Sequence, residues 1–286
     1  MTAALPDGIA DQARAALAED VGAGDCTAVV AAEQARSLAR VIARETAVLA
    51  GKAWFDAVFA QVDASVNVTW HAQDGDRLNA DNPVCDIEGP ARALLTGERT
   101  ALNFLQLLSG IATFPRRYVD RVKGTQAQIL DTRKTLPNLR AAQKYAVLCG
   151  GGVNHRFGLY DGILIKENHI AAAGSLTEAV RLVRLHSPGL PVQVEVENLG
   201  ELEQALQQDV DSVLLDNFKS HNLTRAVQMA GRYRMAHQAP ILTEASGDIS
   251  LANVREVADT GVHRISIGGL TKHITATDFS MRMQIN

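Results

Sequence analysis

The chain has 286 residues, 47% of them hydrophobic and 21% charged, with a formal net charge of −4. That length suits one barrel-sized domain or two smaller ones, and mild acidity without a basic tail excludes a general electrostatic footprint for nucleic acid. Cys26, Cys85 and Cys149 lie too far apart for a metal knuckle and are too few for a disulfide-stapled fold. Residues 1 to 20 lack a signal-like pattern, and no apolar run nears the ~18 residues of a membrane span. The composition therefore reads as a cytoplasmic protein with reduced thiols.

Along the chain, Ile9, Ala13, Ala16 and Leu17 share one face of a helix expected over residues 8–19, followed by the glycine turn Gly22-Ala23-Gly24-Asp25. From about Ser37 to Ile87 short runs such as Ala39–Ala43 and Val66–Trp70, bounded by turn formers, indicate a small sheet with helices. Leu102, Leu105, Leu108 and Ile111 mark an amphipathic helix over 97–111, and a domain boundary is placed near its end, at residue 110. Beyond it the rhythm becomes strand, loop, helix. Strands are expected at Ala127–Asp131, Gly162–Ile165, Val192–Val196, Ser212–Leu215, Pro240–Leu242 and Arg264–Ile267, with Val153-Asn154-His155 as a candidate seventh. Helices are expected at Ser175–His186, Leu199–Gln208, His221–His237 and Leu251–Thr260. Alternating helices and apolar strands indicate a parallel sheet buried on both faces, closed or nearly closed into a βα barrel over 111–271.

The barrel gives the polar residues a geometry. Asp131, Lys166, Glu195, Glu197, Asp216, Glu244 and Gly268 fall at or just past C-terminal strand ends, the shared face where barrels carry their chemistry. Arg133, Lys134, Arg156 and Lys166 gather there in a chain that is acidic as a whole, which suits a small polyanion. Arg133 and Lys134 precede Thr135-Leu136-Pro137, read as a helix entry whose amides favour an anion. His155 taken alone reads as a structural histidine; beside Arg156 it gains weight as a ligand contact. Glu195, Glu197 and Asp216 are either structural counter-ions or holders of Mg²⁺ and sugar hydroxyls. Ser246-Gly247 and Gly268-Gly269 occupy the loops after the last two strands, where barrels often bind phosphate with backbone amides. No dinucleotide-binding glycine fingerprint, Walker lysine or His-Glu-x-x-His motif occurs.

These segments together resemble the quinolinate phosphoribosyltransferase family, also called nicotinate-nucleotide pyrophosphorylase (carboxylating). The likeness runs through Glu19-Asp20, Asp25-Cys26-Thr27, Gly97 to Phe104, Leu130 to Leu136, Lys144 to Arg156, Leu164 to Ile170, Glu195-Val196-Glu197, Leu215-Asp216-Asn217 and Leu270 to His273. The resemblance implies an α/β fold: an N-terminal α/β sandwich over 1–110, an incomplete barrel of about seven strands over 111–271, and a tail, 272–286, returning to the first domain. It implies that quinolinate reacts with phosphoribosyl pyrophosphate and Mg²⁺ to give nicotinate mononucleotide, pyrophosphate and carbon dioxide. Carried over residue by residue, Arg133, His155 and Arg156 would hold the quinolinate carboxylates, joined by Arg99 from the neighbouring subunit of a homodimer. Lys134, Lys166, Glu195 and Asp216 would surround ribose, pyrophosphate and metal, the two carboxylates as metal ligands. Ser246, Gly247, Gly268 and Gly269 would line a phosphate end, with Lys272 a weaker addition. Cys26 and Ala245 depart from the family pattern without removing a charge. The competing readings are a paralogue of the molybdenum-transport-associated type and a non-catalytic barrel that binds nicotinate precursors.

Overall fold

The computed structural model describes residues 4–237 and 241–284. In chain order it runs through α1 (Ile9–Val21), β1 (Arg36–Ala43), β2 (Ala47–Val48), α2 (Lys52–Val62), β3 (Asn67–Trp70), β4 (Arg77–Leu78) and β5 (Pro83–Pro90). The long helix α3 (Ala91–Arg121) leads to β6 (Gln128–Leu130), α4 (Arg140–Cys149), β7 (Ile163–Ile165), α5 (Glu167–Ala173) and α6 (Leu176–His186). Then come β8 (Val192–Val196), α7 (Leu199–Leu206), β9 (Ser212–Asp216), α8 (Ser220–His237) and β10 (Leu242–Ser246). The last elements are α9 (Val254–Asp259), β11 (Arg264–Ser266), α10 (Gly269–Lys272) and β12 (Phe279–Gln284).

Two compact units result. The first comprises the chain up to Arg116, Leu136–Gly151 and the chain from Leu270; the second comprises Arg117–Thr135 and Gly152–Gly269. Helix α4, inside the segment 111–271 that the sequence assigns to the barrel, thus clusters with the first unit.

The first unit carries an antiparallel sheet in the order β12-β1-β5-β3. Alternation sends Ala39, Val41 and Ala43 of β1 inward, all fully buried, while Arg40 on the other face pairs with Asp86 of β5 through two hydrogen bonds of 2.6 and 3.0 Å. Trp54, Phe55 and Phe59 of α2 and Leu102, Leu105, Leu108 and Ile111 of α3 are buried in its core. Helix α3 is longer than the 97–111 expected: buried Leu94 extends its apolar stripe towards the start, and buried Tyr118 carries it beyond Pro115.

The second unit is a parallel sheet in the order β6-β11-β10-β9-β8-β7. The candidate seventh strand reduces to one bridge, Val153 to Leu130, with the Val153 N–H donating to the Ile129 carbonyl and the Val153 carbonyl accepting from the Asp131 N–H. Among the described residues no ladder joins Val153 to β7, so the barrel is incomplete. Three expectations need correction. Residues 135–137 are not a helix entry, since α4 starts at Arg140. Leu251–Asn253 are turns ahead of α9. The strand expected at Pro240–Leu242 is β10 at Leu242–Ser246; Pro240 lies outside the described residues. Thr243 and Glu244 are fully buried polar residues of β10, so a strand read from apolar content stops too early.

Candidate active site

The strand period of two builds the site. In the parallel sheet Leu164 of β7, Glu195 of β8, Leu214 and Asp216 of β9, Glu244 and Ser246 of β10 and Ser266 of β11 all line one cavity of about 440 Å³. Residues between them in sequence, such as Val194, Val196, Val213, Leu215 and Ala245, are buried on the other face. Thr132, Arg133 and Lys134, after β6, and His155 and Arg156, after the Val153 bridge, complete the lining together with Lys166 after β7.

Eight of the sequence candidates therefore share one cavity: Arg133, Lys134, His155, Arg156, Lys166, Glu195, Asp216 and Ser246. Gly247 follows Ser246 at φ +93°, and a Cβ there would lie 2.0 Å from Asn217 Oδ1. Asn217, itself at φ +56°, donates from Nδ2 to Asp216 Oδ2 at 2.9 Å and from its backbone to the Ser246 carbonyl, so only glycine leaves room for this turn. A Cβ on Gly268 would lie 2.8 Å from Lys134 Cδ, which brings that backbone against the lysine stem. Gly269 opens α10. Arg99 and Lys272 belong to the first compact unit, where both are exposed. Glu197 does not share the first cavity. Strand β8 ends at Val196, the Glu197 amide donates to Glu201 at 2.8 Å, and its side chain lines a neighbouring 480 Å³ cavity.

The charges are strongly coupled. Lys166 Nζ donates to Glu195 Oε2. Burial, and next the charge of Glu195, raises the Asp216 carboxyl above its ordinary range, with Lys166 and Lys134 opposing. Burial, and next the positive charge of Arg133, lowers the Arg156 guanidinium. Arg156 is tied by one N–H to the Gly162 carbonyl at 2.9 Å. Arg133 Nε is buried with no hydrogen-bond partner among the described residues. Two guanidinium groups thus line the same cavity, close enough for one charge to act on the other.

Of three further inward residues, the sequence puts Glu244 on the shared face without a role and does not single out Gln193 or Ser266. Gln193, Glu244 and Ser266 lie beneath the cationic rim: Gln193 Nε2 donates to Glu244 Oε2 at 3.0 Å, and Glu244 is wholly buried. Burial alone would raise the Glu244 carboxyl, yet the neighbouring His155, Ser266 and Gln193 outweigh it and hold the group below its ordinary value, although Glu244 Oε1 has no hydrogen-bond partner among the described residues. The signal that finds them is the period of two counted back from Glu195, Ser246 and Gly268.

The comparisons agree with this architecture. The family model for the quinolinate phosphoribosyl transferase C-terminal domain matches residues 111–282, and that for the N-terminal domain matches 25–109. The chain is 43% identical over 282 residues to the nicotinate-nucleotide pyrophosphorylase [carboxylating] of Mycobacterium leprae, covering 96% of this chain and 97% of that protein. It is 37% identical to the quinolinate phosphoribosyltransferase [decarboxylating] 2a of Nicotiana tabacum, covering 94% and 80%. The solved nicotinate-nucleotide pyrophosphorylase of Francisella tularensis superposes with a TM-score of 0.93 at 41% identity, covering 98% of both chains. With both family domains matched in order across a barrel and an antiparallel domain, the chain belongs to the quinolinate phosphoribosyl transferase family.

Proposed function

We propose that this chain is the decarboxylating phosphoribosyltransferase that joins quinolinate to phosphoribosyl pyrophosphate, giving nicotinate mononucleotide, pyrophosphate and carbon dioxide for NAD synthesis. The observation that carries the reading is the Arg133–Arg156 pair, whose mutual repulsion contributes to lowering Arg156. A pyridine with two adjacent carboxylates neutralises both guanidinium groups through charge-assisted hydrogen bonds. The names of the relatives support the same substrate and the same loss of carbon dioxide.

Arg133 and Arg156 hold the acceptor carboxylates, with Arg99 of a second copy of the chain completing the pocket of a homodimer. Lys134 and Lys166 take the pyrophosphate end. The backbone around Ser246-Gly247 and Gly268-Gly269 receives phosphate. Mg²⁺ suits the donor set. Among the described residues no group of three His, Cys, Asp or Glu forms a complete cage, but Asp216 and Glu195 lie close enough for one charge to raise the other's pKa. Magnesium is commonly held by one or two carboxylates plus substrate phosphates and water. When bound, it would offset negative charge on the leaving pyrophosphate.

In the reaction the bond from the anomeric carbon to pyrophosphate breaks with its electron pair leaving on oxygen, where Lys134 and Lys166 meet the growing charge. Glu195 and Asp216 stabilise the positive charge on the sugar. The pyridine nitrogen supplies the pair for the new bond to the anomeric carbon and becomes cationic. The adjacent carbon–carboxylate bond then breaks, its electrons remain on the ring carbon beside that cation, carbon dioxide departs and a proton takes its place. Holding the ring still and dry is the task of the arginines. The cytoplasmic setting rests on three cysteines, all free thiols. Among the described residues no helix is long and apolar enough to cross a membrane.

The test is a turnover assay with quinolinate, phosphoribosyl pyrophosphate and Mg²⁺, with nicotinate as the comparison acceptor. Stoichiometric nicotinate mononucleotide, pyrophosphate and carbon dioxide from quinolinate alone is the expected result. Turnover of nicotinate, or none, would overturn it. Arg133→Ala should raise the KM for quinolinate on the order of a hundredfold while leaving that for the sugar substrate within about threefold; equal losses on both would remove Arg133 from the acceptor pocket.

A further inference from the structure

His155 enters the cavity, yet both of its ring nitrogens are engaged by the protein. Nδ1 accepts the backbone N–H of Arg156 at 2.8 Å. Nε2 lies 3.1 Å from Gln193 Oε1 and 3.3 Å from Glu244 Oε1. Gln193 uses its amide nitrogen to donate to Glu244 Oε2, so its oxygen is left facing the ring, and both groups at Nε2 are acceptors. The ring therefore carries its proton on Nε2 and a lone pair on Nδ1. The residue's backbone is tied as well, since His155 N–H donates to the fully buried Asp131 at 2.8 Å.

We propose that Glu244 is a positioning residue of the acceptor pocket: acting through Gln193 and His155, it fixes the backbone amide of Arg156 and with it the placement of the Arg156 guanidinium, while His155 serves as a strut rather than as a direct ligand of the substrate. The proposal rests on the acceptor reading given above for Arg156. A carboxylate is required at position 244 because it offers only acceptors. Its Oε2 accepts from Gln193, and its Oε1, buried without a hydrogen-bond partner among the described residues, lies 3.3 Å from the imidazole Nε2. A glutamine at 244 brings an amide nitrogen into that set. If its oxygen keeps the Gln193 bond, its N–H₂ faces the imidazole N–H. If Gln193 turns over to accept from it, the Gln193 N–H₂ faces the ring instead, and the ring proton must move to Nδ1, where it opposes the Arg156 N–H. In either arrangement the chain of hydrogen bonds from the barrel interior to Arg156 contains two donors in contact.

The first measurement needs no substitution. Nitrogen-15 NMR of the histidine rings in the wild-type protein, with His155 assigned by its loss in His155→Asn, should show the neutral Nε2–H form, unchanged when phthalate, an unreactive vicinal dicarboxylate, saturates the pocket. A doubly protonated ring, a proton on Nδ1, or a change at either ring nitrogen on adding phthalate would overturn the strut. The second is E244Q: the KM for quinolinate should rise about tenfold with kcat within about threefold and the KM for phosphoribosyl pyrophosphate unchanged. Combined with Arg156→Ala, E244Q should add no further loss, because both act through one group. Independent, multiplying effects, or a fall in kcat alone that tracks the folded fraction, would reduce Glu244 to a packing residue. Should wild-type protein fail to turn over quinolinate, the functional reading falls, and the ring tautomer still decides whether Glu244 and Gln193 hold His155.

Discussion

Two buried polar clusters, one in each compact unit, are satisfied differently. In the first, Ser109 is fully buried and exchanges hydrogen bonds with both backbone groups of Ala50, at 3.1 and 3.2 Å. Gln143, also fully buried, accepts from the Leu136 amide and donates to the Thr271 carbonyl. In the second, buried Gln193 and Glu244 bond to each other and reach His155, side chain to side chain. A side chain tied to backbone staples a fold, and an apolar repacking can often replace it. A buried carboxylate is stabilising only while every partner is present, and removing one strands the charge. Such a network marks the unit whose interior must hold a site in register.

The difference can be broken from either side. Phe59→Ala removes a wholly buried ring from the first unit and should cost about 3–5 kcal/mol in urea unfolding, with kcat of the folded fraction little changed; a matching fall in kcat would show that this core also sets the site. Gly247→Ala, in the second unit, should cost on the order of 2 kcal/mol because Asn217 stands where the Cβ would go and φ is positive. It should also lower kcat, since Asn217 orients Asp216; unchanged melting and turnover would mean that the turn relaxes freely. Asp216→Asn has the opposite sign on stability. The folded-state pKa of Asp216 is raised, so its contribution is fully present below the unfolded value, near 3.8, and lost as pH rises through the folded value. The variant should melt above wild type at pH 7, the gain should vanish below about 3.8, and activity should collapse. A lower melting point at neutral pH would show that Lys134 and Lys166 outweigh burial. Smallest of all, Arg40→Ala on the open sheet face should leave the urea-unfolding midpoint almost unchanged, and the small shift should shrink further at high salt, because the Arg40–Asp86 pair is partly solvated; a clear loss of stability that persists in high salt would show that the pair matters to the sheet.

Much of this was legible in the sequence, and the misses share a cause. β8 falls on its expected residues and β6, β7, β9 and β11 within a residue or so, because strands buried on both faces read as apolar runs. Eight charged or polar candidates converge on one cavity because strand ends converge in any βα barrel. β10 falls later than expected because an inward polar side chain looks like the end of a strand, and Gln193, Glu244 and Ser266 carry no role in the sequence reading because an inward polar side chain acquires one only once its partners on other strands are known. Those partners are distant in sequence, as Gln193 and Glu244 are. The extension of α3 past Pro115 depends similarly on burial of Tyr118, which periodicity over 97–111 does not reach.

The pairing of β1 with β12, Leu38 opposite Gln284, joins the first sheet of the chain to its last strand. During synthesis β1 can pair with β5 soon after both emerge, but its other edge stays open until the whole second unit has left the ribosome. For that interval β1 presents unpaired amides and carbonyls along a strand of eight residues, the template on which foreign strands add. Arg36, Arg40 and the flanking Arg44 lie along that strand, and such charges discourage like edges from meeting. Chain-end truncations that remove β12 would make this transient exposure permanent, so loss of solubility, rather than loss of catalysis, is the failure they should show first.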